Sequence, residues 1–124
     1  MTEPTLDQRL ADLWDAVLNL SLPADDQLLI LEASGDRRAI DELALSLEDV
    51  FWVAQEAFSQ NRLSRQELDA LGELNASLDS ISGRQNAHSW TPEALQSHEC
   101  WRRIRQLAAD ALTKRQVSRI QTGA

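Results

Sequence analysis

The sequence predicts an all-α fold, an irregular bundle of five or six helices. Leucine and alanine are abundant, whereas tyrosine is absent and valine occurs only four times. Such scarcity of β-branched and aromatic residues favours helices over strands. A long helical pattern of apolar residues from Asp36 to Gln60 supports the same conclusion. The length of 124 residues indicates one helical domain, residues 1–124.

The first two helices are marked by their ends. Thr5 and Gln8 have the spacing of a capping box and begin a helix that we place at about 6–19. One face of this helix is apolar: Leu6, Leu10, Leu13, Trp14, Val17 and Leu18. A short second helix is predicted between Pro23, which suits a first helical turn, and Gly35, which suits a helix end.

The stretch from Asp36 to Gln60 predicts one continuous central helix, with Asp36 as its N-cap. Its main apolar residues alternate at spacings of three and four, which is a seam of heptad type. They are Ile40, Leu43, Leu47, Val50, Ala54 and Ala57. We expect this helix to contact neighbours on several sides, because further apolar residues lie beside the seam.

The next helix begins at a second capping box, formed by Ser64 and Glu67. Its apolar seam can meet that of the central helix, and the connection between the two helices is only a few residues long. We therefore expect a central antiparallel helix hairpin over about 36–83. Leu47 and Leu74 lie at the middle of the two seams and are predicted to be core residues.

The C-terminal part begins with a predicted loop, residues 84–90. Thr91 and Pro92 then restart a helix as N-cap and first helical residue. The pattern that follows either continues as one helix or breaks near Ser97. Apolar residues become few near the end of the chain, so a frayed basic tail is predicted from about 115.

The net charge is −8, and it is unevenly distributed. Residues 1–100 contain 19 acidic and 6 basic residues, whereas residues 101–124 contain 6 basic residues and one acidic residue. An acidic body repels nucleic acid and speeds the approach of a basic protein. Nucleic acid is therefore not the expected partner, and solubility is the alternative explanation of the acidity.

The cellular location is predicted from the cysteine count and the N-terminus. Cys100 is the single cysteine, so an intrachain disulfide is excluded and a reducing compartment is favoured. The N-terminus carries Glu3 and Asp7 and lacks a basic region, and no stretch approaches about 18 apolar residues. We expect a cytoplasmic protein without a signal peptide or a membrane span.

Residues suited to metal binding or catalysis are few and unfavourably spaced. The soft metal ligands are His88, His98 and Cys100, which lack the paired spacing of zinc sites. Carboxylate pairs at E-x-x-E or E-x-x-H spacing are absent, and Asp12 and Asp15 form an isolated D-x-x-D. We expect no metal, cofactor or catalytic residue, and an enzyme with an unrecognised site is the third hypothesis.

An acidic ridge on the central helix is the best candidate for a binding site. It consists of Glu42, Asp49 and Glu56, seven residues apart, with Ser46 and Val53 between them. Glu48 and Trp52 lie alongside it. An acidic surface next to an aromatic side chain is typical of a protein-binding face. The alternative is an ordinary solvated face, with Trp52 buried against a neighbouring helix.

The basic segment Trp101–Arg119 gives a second hypothesis, a helical adaptor or transcriptional regulator that uses its C-terminal helix. A DNA-binding helix needs a positive face clear of the acidic body. The competing interpretation is that this helix packs along the body, with its basic residues near the body's acidic ones.

In size, acidity, its single cysteine and the ridge Glu42–Asp49–Glu56, the chain resembles a class of small acidic helical immunity proteins. These neutralise toxins of bacterial contact-dependent inhibition and related polymorphic toxin systems. The resemblance implies a non-enzymatic intracellular protein that binds a basic, nuclease-type toxin domain tightly. Binding would cover the active site of the toxin or another of its surfaces.

Overall fold

The computed structural model describes residues 5–36 and 38–122, with side chains up to residue 116. All regular structure in these ranges is helical, which confirms the predicted all-α bundle. The α-helices are α1 (Leu6–Ser21), α2 (Ala24–Ala33), α3 (Asp41–Glu48), α4 (Trp52–Ser59), α5 (Arg65–Ser80), α6 (Pro92–Ser97) and α7 (Glu99–Thr122). A 3₁₀ helix, Arg84–Ser89, lies between α5 and α6.

Both predicted capping boxes are confirmed. In α1, the Thr5 hydroxyl accepts from the N–H of Gln8 (3.2 Å), and the Gln8 side chain accepts from the N–H of Thr5 (2.8 Å). In α5, the same reciprocal bonds join Ser64 and Glu67, at 3.1 and 2.8 Å. Each box satisfies backbone donors that the first helical turn leaves without a partner.

Two helices end in a left-handed residue. Gly35 has φ of +122°, and Asn61 has φ of +60°. After α2, the N–H of Asp36 bonds to the C=O of Leu31 and the N–H of Gly35 bonds to the C=O of Glu32, each at 3.1 Å. This is a Schellman motif, and the equivalent pair of bonds closes α4 at Asn61. Gly35 therefore ends the second helix as predicted.

The continuous central helix predicted over 36–60 is wrong, because a turn at 49–51 separates α3 from α4. The N–H of Val50 bonds to the C=O of Leu47 (3.1 Å), and the N–H of Val53 bonds to the C=O of Val50 (3.0 Å). These i to i+3 bonds are those of a 3₁₀ helix, which has three residues per turn. Three residues turn the chain by about 360° in a 3₁₀ helix and by about 300° in an α-helix. The turn at 49–51 therefore rotates α4 by about 60° relative to a continuous α-helix.

Asp36 does not cap the central helix, contrary to expectation. Its carboxylate accepts from the N–H of Arg38 (2.9 Å), and its carbonyl accepts from the N–H of Ala39 (3.1 Å). Asp side chains commonly bond the backbone two residues on in this way, which stabilises a turn. The turn delays the start of α3 to Asp41.

The apolar faces of the helices meet in one contiguous core. Leu47 and Leu74 are both fully buried in it, as predicted for the hairpin. Trp101 is the largest fully buried side chain. Helix α7 packs most extensively against α5 and next against α1, and α3 and α4 each pack more against α1 than against α5.

The C-terminal region contains more helix than the sequence predicts. Most of the expected loop at 84–90 is the 3₁₀ helix. The helical pattern does break near Ser97, because His98 adopts an extended backbone (ψ of 139°) between α6 and α7. Helix α7 then continues past residue 115, where the tail is predicted to begin fraying. Fraying itself stays a prediction.

Two tryptophans hold the 3₁₀ helix against the bundle. The indole N–H of Trp90 donates to the C=O of Ile81, and that of Trp101 donates to the C=O of Ser89, both at 2.7 Å. The two rings meet edge to face, with centroids 5.4 Å apart. This geometry is favourable for aromatic pairs, and it fixes the position of Trp90.

A polar network crosses the core where α1, α2, α6 and α7 meet. The buried amide of Gln27 donates to the carbonyls of Asn19 (3.0 Å) and Leu20 (3.1 Å). Arg105 donates to the side-chain oxygen of Gln27 (3.1 Å) and to the carbonyl of Leu95 (3.0 Å). Burial lowers the pKa of the Arg105 guanidinium, so the network places a partly desolvated cation between four helices.

Candidate protein-binding surface

The five candidate residues Glu42, Glu48, Asp49, Trp52 and Glu56 are all exposed. Trp52 retains 53% of its accessible surface, so the alternative in which it is buried is wrong. The binding role of these residues stays a prediction.

The composition of the acidic ridge differs from the prediction at one position. A continuous helix would place Val53 between Asp49 and Glu56 on the exposed face, yet Val53 is fully buried. The 3₁₀ turn explains the difference, because it rotates α4 and brings Val53 towards the core. Three residues make one full 3₁₀ turn, so Trp52 follows Asp49 directly along the helix axis.

Four of the five residues thus share one row along α3 and α4, namely Glu42, Asp49, Trp52 and Glu56. Glu42 stands two helical turns before Asp49, and Glu56 stands one turn after Trp52. We call these four the acidic row. Glu48 faces a different direction and lines a groove next to the 3₁₀ helix.

Contacts from other elements shape the surroundings of the row. The guanidinium of Arg9, on α1, lies 5.1 Å from the ring centroid of Trp52, which is a cation–π contact. The Gln60 amide donates to Glu56 at 2.7 Å. Among the residues whose side chains are described, no lysine or arginine forms an ion pair with an acid of the row. These carboxylates therefore present their charge to solvent.

Sequence reasoning missed Arg9 as part of this surface. Arg9 and Trp52 are brought together by the packing of α1 against α4, and no local sequence pattern predicts that contact. Glu42, Asp49 and Glu56 were found because heptad spacing in a helix is a local signal.

Several basic residues of α7 contact other residues of the same chain. Arg105 is part of the polar network, and Arg115 lies 5.0 Å from the ring centroid of Trp14. Arg102 pairs with Glu99 at 3.4 Å. The exposed bases of this helix also include Arg103 and Lys114, while Arg119 lies outside the described side chains. These contacts involve aromatic and backbone groups more than the acidic body.

The predicted soft ligands do not form a compact site. The rings of His88 and His98 lie 6.1 Å apart between centroids, and Cys100 is half-buried. Within the described part of the chain, no three His, Cys, Asp or Glu side chains are grouped so that they could hold a metal ion. No helix in the same ranges has the length and apolar character needed to cross a membrane.

The chain matches no family model, no curated protein and no solved structure. The resemblance to immunity proteins therefore stays a prediction.

Proposed function

We propose that this protein binds a basic toxin domain through the acidic row and thereby acts as an immunity protein in the cytoplasm, without catalysis. The observation that carries the proposal is Trp52, which is 53% exposed in the middle of the row. Tryptophans are highly buried on average. An exposed one among unpaired carboxylates has the composition of an interface hot spot beside charges that guide a partner.

The charge of the molecule favours a partner of this class. A toxin that acts on nucleic acid needs a basic surface to bind phosphates. The net charge of −8 would attract such a surface, and the row would give that attraction a defined place. Steering of this kind raises association rates about 10–10³-fold.

Toxicity assays in a bacterial host test this function. The products of genes adjacent to the gene of this protein would be expressed singly, with and without the protein. The proposal expects one product that stops growth alone and is tolerated when this protein is co-expressed. If none of the adjacent products is toxic, or if a toxic one is unaffected by the protein, the immunity function is wrong.

A second candidate is a regulator that uses the exposed bases Arg103 and Lys114 of α7. It predicts salt-sensitive retention of the protein on immobilised duplex DNA, which the variant Arg103→Glu/Lys114→Glu would lose. An immunity protein of net charge −8 should pass through at every salt concentration.

A further inference from the structure

Helix α3 and residues 82–90 enclose a shallow groove of about 410 Å³. Ala44 and Leu45 line one wall, and Ala87 and Trp90 line the other. The groove falls within the usual range of ligand pockets, about 300–1,000 Å³. Leu45 retains 37% of its accessible surface, so an occupant of the groove would bury apolar surface that now faces water.

The groove is rigid on its far wall. Trp90 is held by its hydrogen bond to Ile81 and by the edge-to-face contact with Trp101. Gly83 lies at the edge of the groove and has φ of +100°, which disfavours any larger residue there. A preformed wall lowers the entropy cost of binding.

Acidic residues flank the apolar wall that α3 contributes to the groove. Asp41, Leu45 and Glu48 are spaced four and three apart, so they share one stripe of α3. The two carboxylates stand about 10 Å apart along the axis, with the leucine between them. The opposite wall contributes one cation, Arg84. Two carboxylates against one guanidinium leave the rim acidic.

Two other grooves lack this combination. The cleft between α1 and α5 is lined partly by apolar residues, but the Arg62–Asp7 ion pair and the stacked Arg115 also line it. The groove between α5 and α7 is lined mainly by polar side chains, including Asp69 and Asp110.

We propose that the groove receives an apolar side chain of the basic partner, carried on a segment that has a basic residue on each side of it. The apolar side chain packs between Leu45 and Trp90, and the flanking cations pair with Asp41 and Glu48. This proposal rests on the proposed function and deepens it, because it adds a specific anchor to the general attraction of the acidic row.

Three matched amphipathic peptides test the chemistry of the groove, each titrated into the full-length ¹⁵N-labelled protein. One contains lysine and leucine, one glutamate and leucine, and one lysine and glutamine. The lysine–leucine peptide is expected to shift the backbone amides of α3 and residues 82–90. The other two should bind about tenfold more weakly or worse, because each lacks one of the two complementary features.

Point variants then show which residues of the groove contribute to the affinity for the peptide. Leu45→Ala should weaken the lysine–leucine peptide by about fivefold or more, and Glu48→Gln should weaken it as well. Arg84→Gln should tighten it, since a repelling cation is removed. Leu29→Ala is the matched control, because Leu29 is an exposed leucine on α2 (62% accessible) and should leave affinity unchanged.

The groove proposal is overturned if the peptide shifts amides elsewhere, if the glutamate–leucine peptide binds equally well, or if Leu45→Ala binds like Leu29→Ala. Ala87→Trp, which fills the groove from an exposed position, must also abolish binding while circular dichroism shows a folded protein. The toxicity assay is independent of these titrations. Neutralisation without peptide binding would overturn the groove alone, whereas peptide binding without neutralisation would overturn the immunity function alone.

Discussion

Leu47 and Leu74 show how single residues hold the bundle together. They lie on α3 and α5, and both are fully buried. Burial of a leucine side chain contributes about 1.5–3 kcal/mol, and truncation adds the cost of the cavity that remains. Truncation of either leucine should therefore destabilise the core.

The variant Leu47→Ala is expected to lower the free energy of unfolding by about 2–5 kcal/mol, measured by urea denaturation. Leu29→Ala is again the control, because its side chain already faces water and its loss should change stability by about 0.5 kcal/mol or less. A loss below about 1 kcal/mol for Leu47→Ala would mean that the site collapses around the smaller side chain.

The buried side chain of Gln27 belongs to a hydrogen-bond network that joins four helices. The variant Gln27→Leu keeps the shape but removes the acceptor of Arg105 and the donor of two carbonyls. Unsatisfied buried groups cost about 1–3 kcal/mol, so the variant should be less stable in spite of its greater hydrophobicity. Equal or higher stability in thermal denaturation would show that water replaces the lost bonds.

The 3₁₀ turn at 49–51 is the decisive feature at the level of elements. It separates α3 from α4 and places Val53, which a straight helix would leave on the exposed ridge, in the core. No proline or glycine marks the turn, and the apolar seam runs through it without a gap. Sequence reasoning therefore could not locate it, because only packing against α1 and α5 distinguishes the two geometries.

The adjacent pair Trp52 and Val53 tests this geometry. Val53→Lys should cost about 3 kcal/mol or more, because it buries a charge without a partner. Trp52→Lys should cost about 1 kcal/mol or less, chiefly through the lost contact with Arg9. Urea denaturation of both variants measures these losses in the free energy of unfolding. Similar small losses for both variants would mean that the helix is continuous and that Val53 faces solvent.

Signals contained within a few residues predicted several ends of elements, although the N-cap predicted at Asp36 was wrong. The Thr5–Gln8 and Ser64–Glu67 capping boxes and Gly35 lie where their local chemistry places them. Exposure of Glu42, Asp49 and Glu56 was also predicted, since it follows from helical spacing, whereas the exposure of Trp52 was left open. The Arg9–Trp52 contact and the groove at Leu45 were not, because segments distant in sequence build them.

At the scale of the whole molecule, the proposed function depends on where the acidic charge acts. The variant Glu42→Lys/Asp49→Lys/Glu56→Lys reverses three exposed charges and moves the net charge from −8 to −2, two units for each residue. Exposed helical positions tolerate lysine, so circular dichroism should show an unchanged helix content.

The matched control Asp12→Lys/Asp15→Lys/Asp79→Lys gives the same net charge from exposed positions outside the row. The most direct test is the association rate of both variants with the neutralised toxin domain, followed by stopped-flow fluorescence over a range of salt. If the acidic row guides the partner, the row variant associates at least about tenfold more slowly than the control at low salt, and the difference shrinks as salt rises. Equal rates for the two variants at every salt concentration would contradict this role of the row, because only the total charge of the protein would then matter.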